Sequence, residues 1–121
     1  MSPRFEVLDA RFSTADAQLA QIANFGDSLC LRFRGWQEKS VIVHFRDVIA
    51  YSWDDGDAAI EPSHRDDCSY IVHDSPWLAR HVAVGNVQAS QEVKHFKLCF
   101  NAAGVLQVLA SSFEVESGRD T

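Results

Sequence analysis

Five histidines and three cysteines are the side chains of this 121-residue chain best suited to metal binding or nucleophilic chemistry. His64, Asp66, Asp67, Cys68 and His73 lie close enough in sequence to supply ligands. Their spacings match none of the patterns by which Cys and His close a tetrahedral zinc site. Asp54-Asp55-Gly56-Asp57 holds the acids of a calcium loop without its alternating order or its distal bidentate glutamate. No metal and no cofactor are therefore expected. A thiol nucleophile needs a base within about 3 Å. His95 and Cys99 share a strand face, but four positions of extended chain separate them by about 13 Å. His44 reaches Cys99 only if a neighbouring strand falls in a favourable register. The chain has no phosphate-cradling glycine loop, G-x-S-x-G elbow or H-E-x-x-H helix. No catalytic residue is assigned, and a non-enzymatic role is favoured. The alternative, a small enzyme or metal-binding protein, would draw on His44, His64, Cys68, His73 or Cys99.

Charge gives a sharper signal. The net charge is −6, from 17 acids and 11 bases. Asp54, Asp55, Asp57, Glu61, Asp66, Asp67 and Asp74 stand in one window whose sole Lys or Arg is Arg65, so residues 54–74 carry 1 − 7 = −6. The rest of the chain has ten acids and ten bases and is neutral. A patch of one sign attracts cations or basic partners and repels nucleic acid, whose recognition needs a basic footprint. Trp53 and Trp77 flank the window, and tryptophan is enriched at binding hot spots. The expected partner-binding residues are thus Trp53, Asp54, Asp55, Asp57, Glu61, Asp66, Asp67 and Trp77. The competing reading is a solvated loop whose acids only confer solubility, with each tryptophan, Trp36 included, sealing a core edge.

The elements that must position these residues follow from periodicity. Residues 4–12 read as a strand, with Phe5 and Val7 on one face. Leu19, Ile22 and Ala23 recur at helical spacing between Ser13 or Thr14 and Gly26, which predicts a helix near residues 14–24. Alternation in 28–34, 39–45 and 48–53 predicts three strands. Residues 54–69 break the pattern, and loops longer than about 12–15 residues in a compact domain are usually functional or disordered. Strand 70–73 follows. Asp74-Ser75-Pro76 is a sound helix start for 76–82, since proline suits the first helical position. Residues 93–100 and 105–110 form a closing hairpin about Asn101–Gly104. Its second arm, apolar on both faces, should lie centrally in the sheet. The core is expected to hold Leu29, Leu31, Phe33, Val41, Val43, Phe45, Phe96, Leu98, Phe100, Leu106 and Val108.

The fold class expected is α+β: a predominantly antiparallel sheet of six or seven strands with one or two helices packed on it. Length allows one domain, 1–121, with 116–121 frayed. No apolar run approaches the roughly 20 residues that span a bilayer, and the first residues lack the apolar region of a signal peptide. An odd cysteine count without an export signal suits a reducing compartment, so a cytoplasmic location without membrane association is expected. Cys30 and Cys99 should be buried as small hydrophobes; Cys68 is the cysteine expected to be exposed.

Two stretches, DSLCLRFRGWQEKSVIVHFRDVIAYSW (27–53) and HFKLCFNAAGVLQVLASSF (95–113), resemble small bacterial proteins of the toxin-immunity type, including those of contact-dependent inhibition systems. What carries the resemblance is a strand, Trp-containing turn, strand unit and a closing hairpin. It implies a non-enzymatic inhibitor of a basic toxin and transfers no functional residue. A homodimeric adaptor or structural domain whose sheet edge or hairpin turn carries the interface is a further alternative.

Overall fold

The structure is a computed structural model, and it describes residues 4–8, 18–34, 40–55, 69–87, 92–100 and 104–117. The described elements are β1 (Arg4–Val7), β2 (Gln18–Phe25), β3 (Ser28–Arg34), β4 (Ser40–Arg46), β5 (Ala50–Asp55), β6 (Ser69–His73), α1 (Pro76–Ala83), β7 (Lys94–Phe100), β8 (Gly104–Ala110) and β9 (Ser112–Ser117). All strand pairs are antiparallel. They form a five-stranded sheet of order β1-β6-β7-β8-β5 and a four-stranded sheet of order β2-β3-β4-β9. The α+β class expected from the sequence stands, with nine strands among the described residues where six or seven were expected.

Period-two alternation decides which face each sheet buries. Leu29, Leu31 and Phe33 of β3 and Val43 and Phe45 of β4 point inward from the four-stranded sheet. Phe96, Leu98 and Phe100 of β7 and Leu106, Val108 and Ala110 of β8 meet them from the five-stranded sheet. Phe33 packs edge-on to Phe100 at 5.1 Å, and Phe45 lies 5.9 Å from Phe96. Every expected core residue belongs to this layer. Val41 alone is half-buried at its margin.

β7 and β8 are buried on their second face as well: Cys99, Val105 and Leu109 are fully buried there. Two-sided burial is why the second arm of the hairpin reads as apolar throughout, and β8 does lie inside the sheet, between β7 and β5. On this outer face Lys97 is buried with its ammonium over the Phe5 ring, 5.4 Å from the centroid. The lysine stem covers apolar surface while the charge meets the ring's negative face.

The sheets are joined by one bent ribbon. β4 pairs with β9 up to Arg46↔Ser112, and β5 pairs with β8 from Ala50↔Leu109. Asp47, Val48 and Ile49 therefore stand opposite Ala110 and Ser111, one residue more on the first arm. That excess is a β-bulge, the device by which strands bend and pass between packed sheets. Asp47 takes the left-handed conformation at φ 53. Ser111 secures the corner: its hydroxyl donates to the Asp47 carboxylate at 2.7 Å and its N–H to the Arg46 carbonyl at 3.0 Å.

Three sequence expectations require correction. Residues 18–25 are strand β2, not a helix. Its pairing with β3 shifts by one residue between Gln18 and Gln21. Such a bulge brings positions three apart onto one face, the spacing that imitates a helix. Ile22 packs against the core opposite Leu31, while Ala23 is exposed. Gly26, expected to stop a helix, instead uses its positive φ of 72° in the two-residue hairpin turn before β3. Glu116 and Ser117, expected to fray, pair with Ile42 and Val41. Residues 9–12 of the expected first strand and Trp36 lie outside the described residues. The expected loop 54–69 also loses its ends to β5 and β6, because cross-strand bonds with Val105, Gly104 and Leu98 extend the ladders to Asp55 and from Ser69.

Candidate functional site

Both anchors of the acidic segment emerge at one end of the five-stranded sheet. Trp53, Leu106, Leu98 and Ser69 form one row across β5, β8, β7 and β6. Three strand spacings put the anchors about 14 Å apart. Asp54 is exposed in this row's neighbourhood, and Asp55 pairs with Gly104. Asp57, Glu61, Asp66 and Asp67 lie outside the described residues, as do His64 and Cys68. Asp74 does not join them. It follows the far end of β6, about 17 Å along the strand from Ser69. Its carboxylate accepts from the Arg4 guanidinium at 3.1 Å.

The two tryptophans are not brought together. Trp53 faces the core, with its ring 5.8 Å from Phe100. Trp77 sits in α1 over the opposite face of the same sheet, edge-on to His95 at 5.2 Å. Odd positions of β7 face outward and even ones inward, so a whole sheet separates the indoles. Gly104 fixes Trp53 further. A Cβ there would collide with the Asp54 carbonyl and come within 2.9 Å of the Trp53 ring.

The thiol–imidazole pairings also resolve. His95 and Cys99 share the outer face of β7, as expected for alternate positions. Cys99 is fully buried beside Tyr70 and Val105. His44 belongs to the other sheet, where its cross-strand neighbour is Cys30 rather than Cys99. Cys30 lies on that sheet's outer face and is half-buried, so the burial expected of it holds for Cys99 only. His73 bonds Glu6 at the β1 edge, at 3.0 Å. Among the described residues no three His, Cys, Asp or Glu side chains are placed to hold a metal ion.

A buried polar chain escaped the sequence reading. The Leu78 N–H donates to Ser75 Oγ at 3.1 Å, capping α1. Ser75 Oγ lies 2.7 Å from His95 Nδ1, and His95 Nε2 lies 2.8 Å from Gln107 Oε1. Because Gln107 Oε1 only accepts, Nε2 carries the proton, and Nδ1 accepts from the serine hydroxyl. Ser75 and His95 are both buried. A serine hydroxyl on an oriented imidazole has the wiring of an acyl-transfer nucleophile. Here the serine oxygen is engaged by the helix backbone and removed from solvent, so the chain docks α1 onto the sheet. The signal was present in the sequence: a histidine within a strand buried on both faces must find partners.

Burial, opposed by the Gln107 hydrogen bond and reinforced by Lys97, holds the His95 pKa below its ordinary value of 6.5. The unfolded chain therefore takes up this proton at higher pH than the native one does. The stability this gives is complete above about pH 6.5 and is lost as pH falls below it, with a limiting slope of about 1.4 kcal/mol per pH unit. Denaturant titrations of wild type and His95→Gln between pH 7.5 and 5 are expected to show the steeper acid loss in wild type. Parallel slopes would mean that the imidazole is protonated equally in both states.

No helix among the described residues is long and apolar enough to cross a membrane. No family model, no curated protein and no solved structure matches this chain.

Proposed function

We propose that the chain is a non-enzymatic protein-binding module that captures a basic partner with the acidic segment between β5 and β6. The supporting observation is the coincidence of charge and architecture. The segment carrying the chain's charge excess springs from two strand ends at one end of a sheet whose interior is rigidly packed. Asp74, at the far end of β6, pairs with Arg4 and stands apart from these anchors. Trp53, locked against Phe100, serves as a fixed margin of the site, and Trp77 belongs to another surface. A basic toxin domain, the partner implied by the resemblance, is one such target.

Electrostatic capture of this kind acts chiefly on the association rate and weakens with salt, since exposed charges are screened beyond about 8 Å at physiological ionic strength. The test is capture of the partner from lysate of the source cells, followed by association kinetics across salt concentrations. Replacing Asp54, Asp55, Asp57, Asp66 and Asp67 by Asn is expected to slow association by about tenfold or more at low salt. Folding stability should stay within about 0.5 kcal/mol, the scale of surface changes. An unchanged rate would reduce the segment to a solvated connection.

A further inference from the structure

We propose that the free edge of β2 is a second, independent interaction surface, along which two copies of this chain pair antiparallel about a two-fold axis at Ala23. Four strands stand at sheet edges: β1 and β5 of one sheet, β2 and β9 of the other. An edge strand invites pairing with another chain unless charge, proline or shortness blunts it. β5 ends on the acids Asp54 and Asp55, and β9 carries Glu114 and Glu116. β1 has only four residues, and its Arg4 and Glu6 are engaged by Asp74 and His73. β2 differs from all three. It spans eight residues, QLAQIANF, without a charge or a proline.

The register of β2 fixes what this edge offers. Its bulge at Gln18–Gln21 confines the regular ladder to Gln21–Phe25. Gly26 and Asp27 form a two-residue turn closed by the pair Phe25↔Ser28. In such a hairpin the closing pair exchanges both backbone hydrogen bonds, and bonded and non-bonded pairs alternate from there. Phe25, Ala23 and Gln21 therefore turn their N–H and C=O groups to β3. Ile22 and Asn24 turn theirs outward, to a side on which no described strand pairs with β2.

This pattern is self-complementary. About a two-fold axis at Ala23, Ile22 of each copy meets Asn24 of the other, and each such pair exchanges both outward hydrogen bonds. Gln21 then meets Phe25. The Phe25 ring, 69% exposed in the single chain, gains the other copy's Gln21 stem and Ala23 methyl as apolar cover. The two four-stranded sheets become one continuous sheet with the paired β2 strands at its centre. Because the same patch meets itself, pairing uses up the edge in both copies, and association stops at the dimer. β2 brings no charged side chain to the contact, so salt should affect it little, unlike capture by the acidic segment.

Edge pairing over so few residues falls below the about 1,200 Å² of standard stable interfaces, so a weak, concentration-dependent dimer is expected. Sedimentation velocity of the full chain, from micromolar to submillimolar concentration, should show monomer giving way to dimer and to nothing larger. Ala23 is exposed, so Ala23→Lys and Ala23→Glu should leave the fold intact. Each sets like charges directly opposite one another across the axis and should weaken the dimer about tenfold or more. Mixing the two variants should restore it as a heterodimer. Asn24→Pro removes an outward N–H, which an edge strand tolerates, and should also abolish pairing. A chain that stays monomeric at the highest concentration overturns the proposal, as does a dimer that both Ala23 variants leave intact. Unchanged circular dichroism of each variant separates lost pairing from misfolding, and if Asn24→Pro does not fold, the charge-swapped pair still decides.

Discussion

Phe100→Ala is expected to destabilise the protein by about 3–5 kcal/mol, the range for removing a buried aromatic ring. Phe100 is 1% exposed and holds the layer between the sheets from both sides, 5.1 Å from Phe33 and 5.8 Å from Trp53. Neither ring can follow the missing side chain without breaking its own strand pairing, so a cavity remains and its cost adds to the lost transfer energy. Chemical denaturation followed by tryptophan fluorescence measures the loss and also reports on Trp53. A loss below about 1 kcal/mol, the scale of an ordinary surface substitution, would place this ring outside the core.

Gly104→Ala should have the second largest effect, about 2–4 kcal/mol. Two costs combine there. At φ 155 the backbone occupies a region that L side chains rarely adopt, a strain of about 1–3 kcal/mol. The new methyl group would also press on the Asp54 carbonyl and the Trp53 ring, and overpacking costs typically about 1–3 kcal/mol. Neither neighbour is a flexible tip; one is backbone and the other is an indole packed on Phe100. Thermal unfolding of the variant should show a lower midpoint, with Trp53 emission altered in the native state. Wild-type stability would mean that the β5 strand does not lie against the start of β8 as described.

Alternation made the inward faces of β3 and β4 legible, because those strands bury about one residue in two, whereas β7 and β8, buried on both faces, were legible as a largely apolar hairpin. Tight local chemistry made α1 legible, where Ser75 caps and Pro76 begins the helix. Strand β2 was not legible, since its bulge at Gln18–Gln21 destroys alternation within a single strand and the pairing that defines it comes from β3. The crossing at Ser111 was equally hidden: the apolar pattern of the second hairpin arm stops at Ala110, and only the partners of Ser112 to Ser117 show that the chain goes on to serve the other sheet. Of the candidate site, charge could be located from composition alone. The face on which Trp53 or Trp77 lies depends on strand parity and sheet order. Cys30 beside His44 depends on register, which two separately read strands do not supply.

The bent ribbon through Asp47 and Ser111 has a consequence for biosynthesis. Val41 pairs with Ser117 and Arg46 with Ser112, so β4 acquires its second neighbour only when a strand made much later has left the ribosome. At about 5–20 residues per second, the roughly 70 residues between them take about 3–15 s to synthesise. Throughout that interval the nascent β2-β3-β4 sheet has a bare edge along β4 and an inner apolar face without β7 and β8 to cover it. Exposed edges and faces of this sort are what chaperones bind and what aggregation begins from. The same corner that unites the two sheets in the finished protein therefore leaves β4 without its second neighbour until β9 has been made.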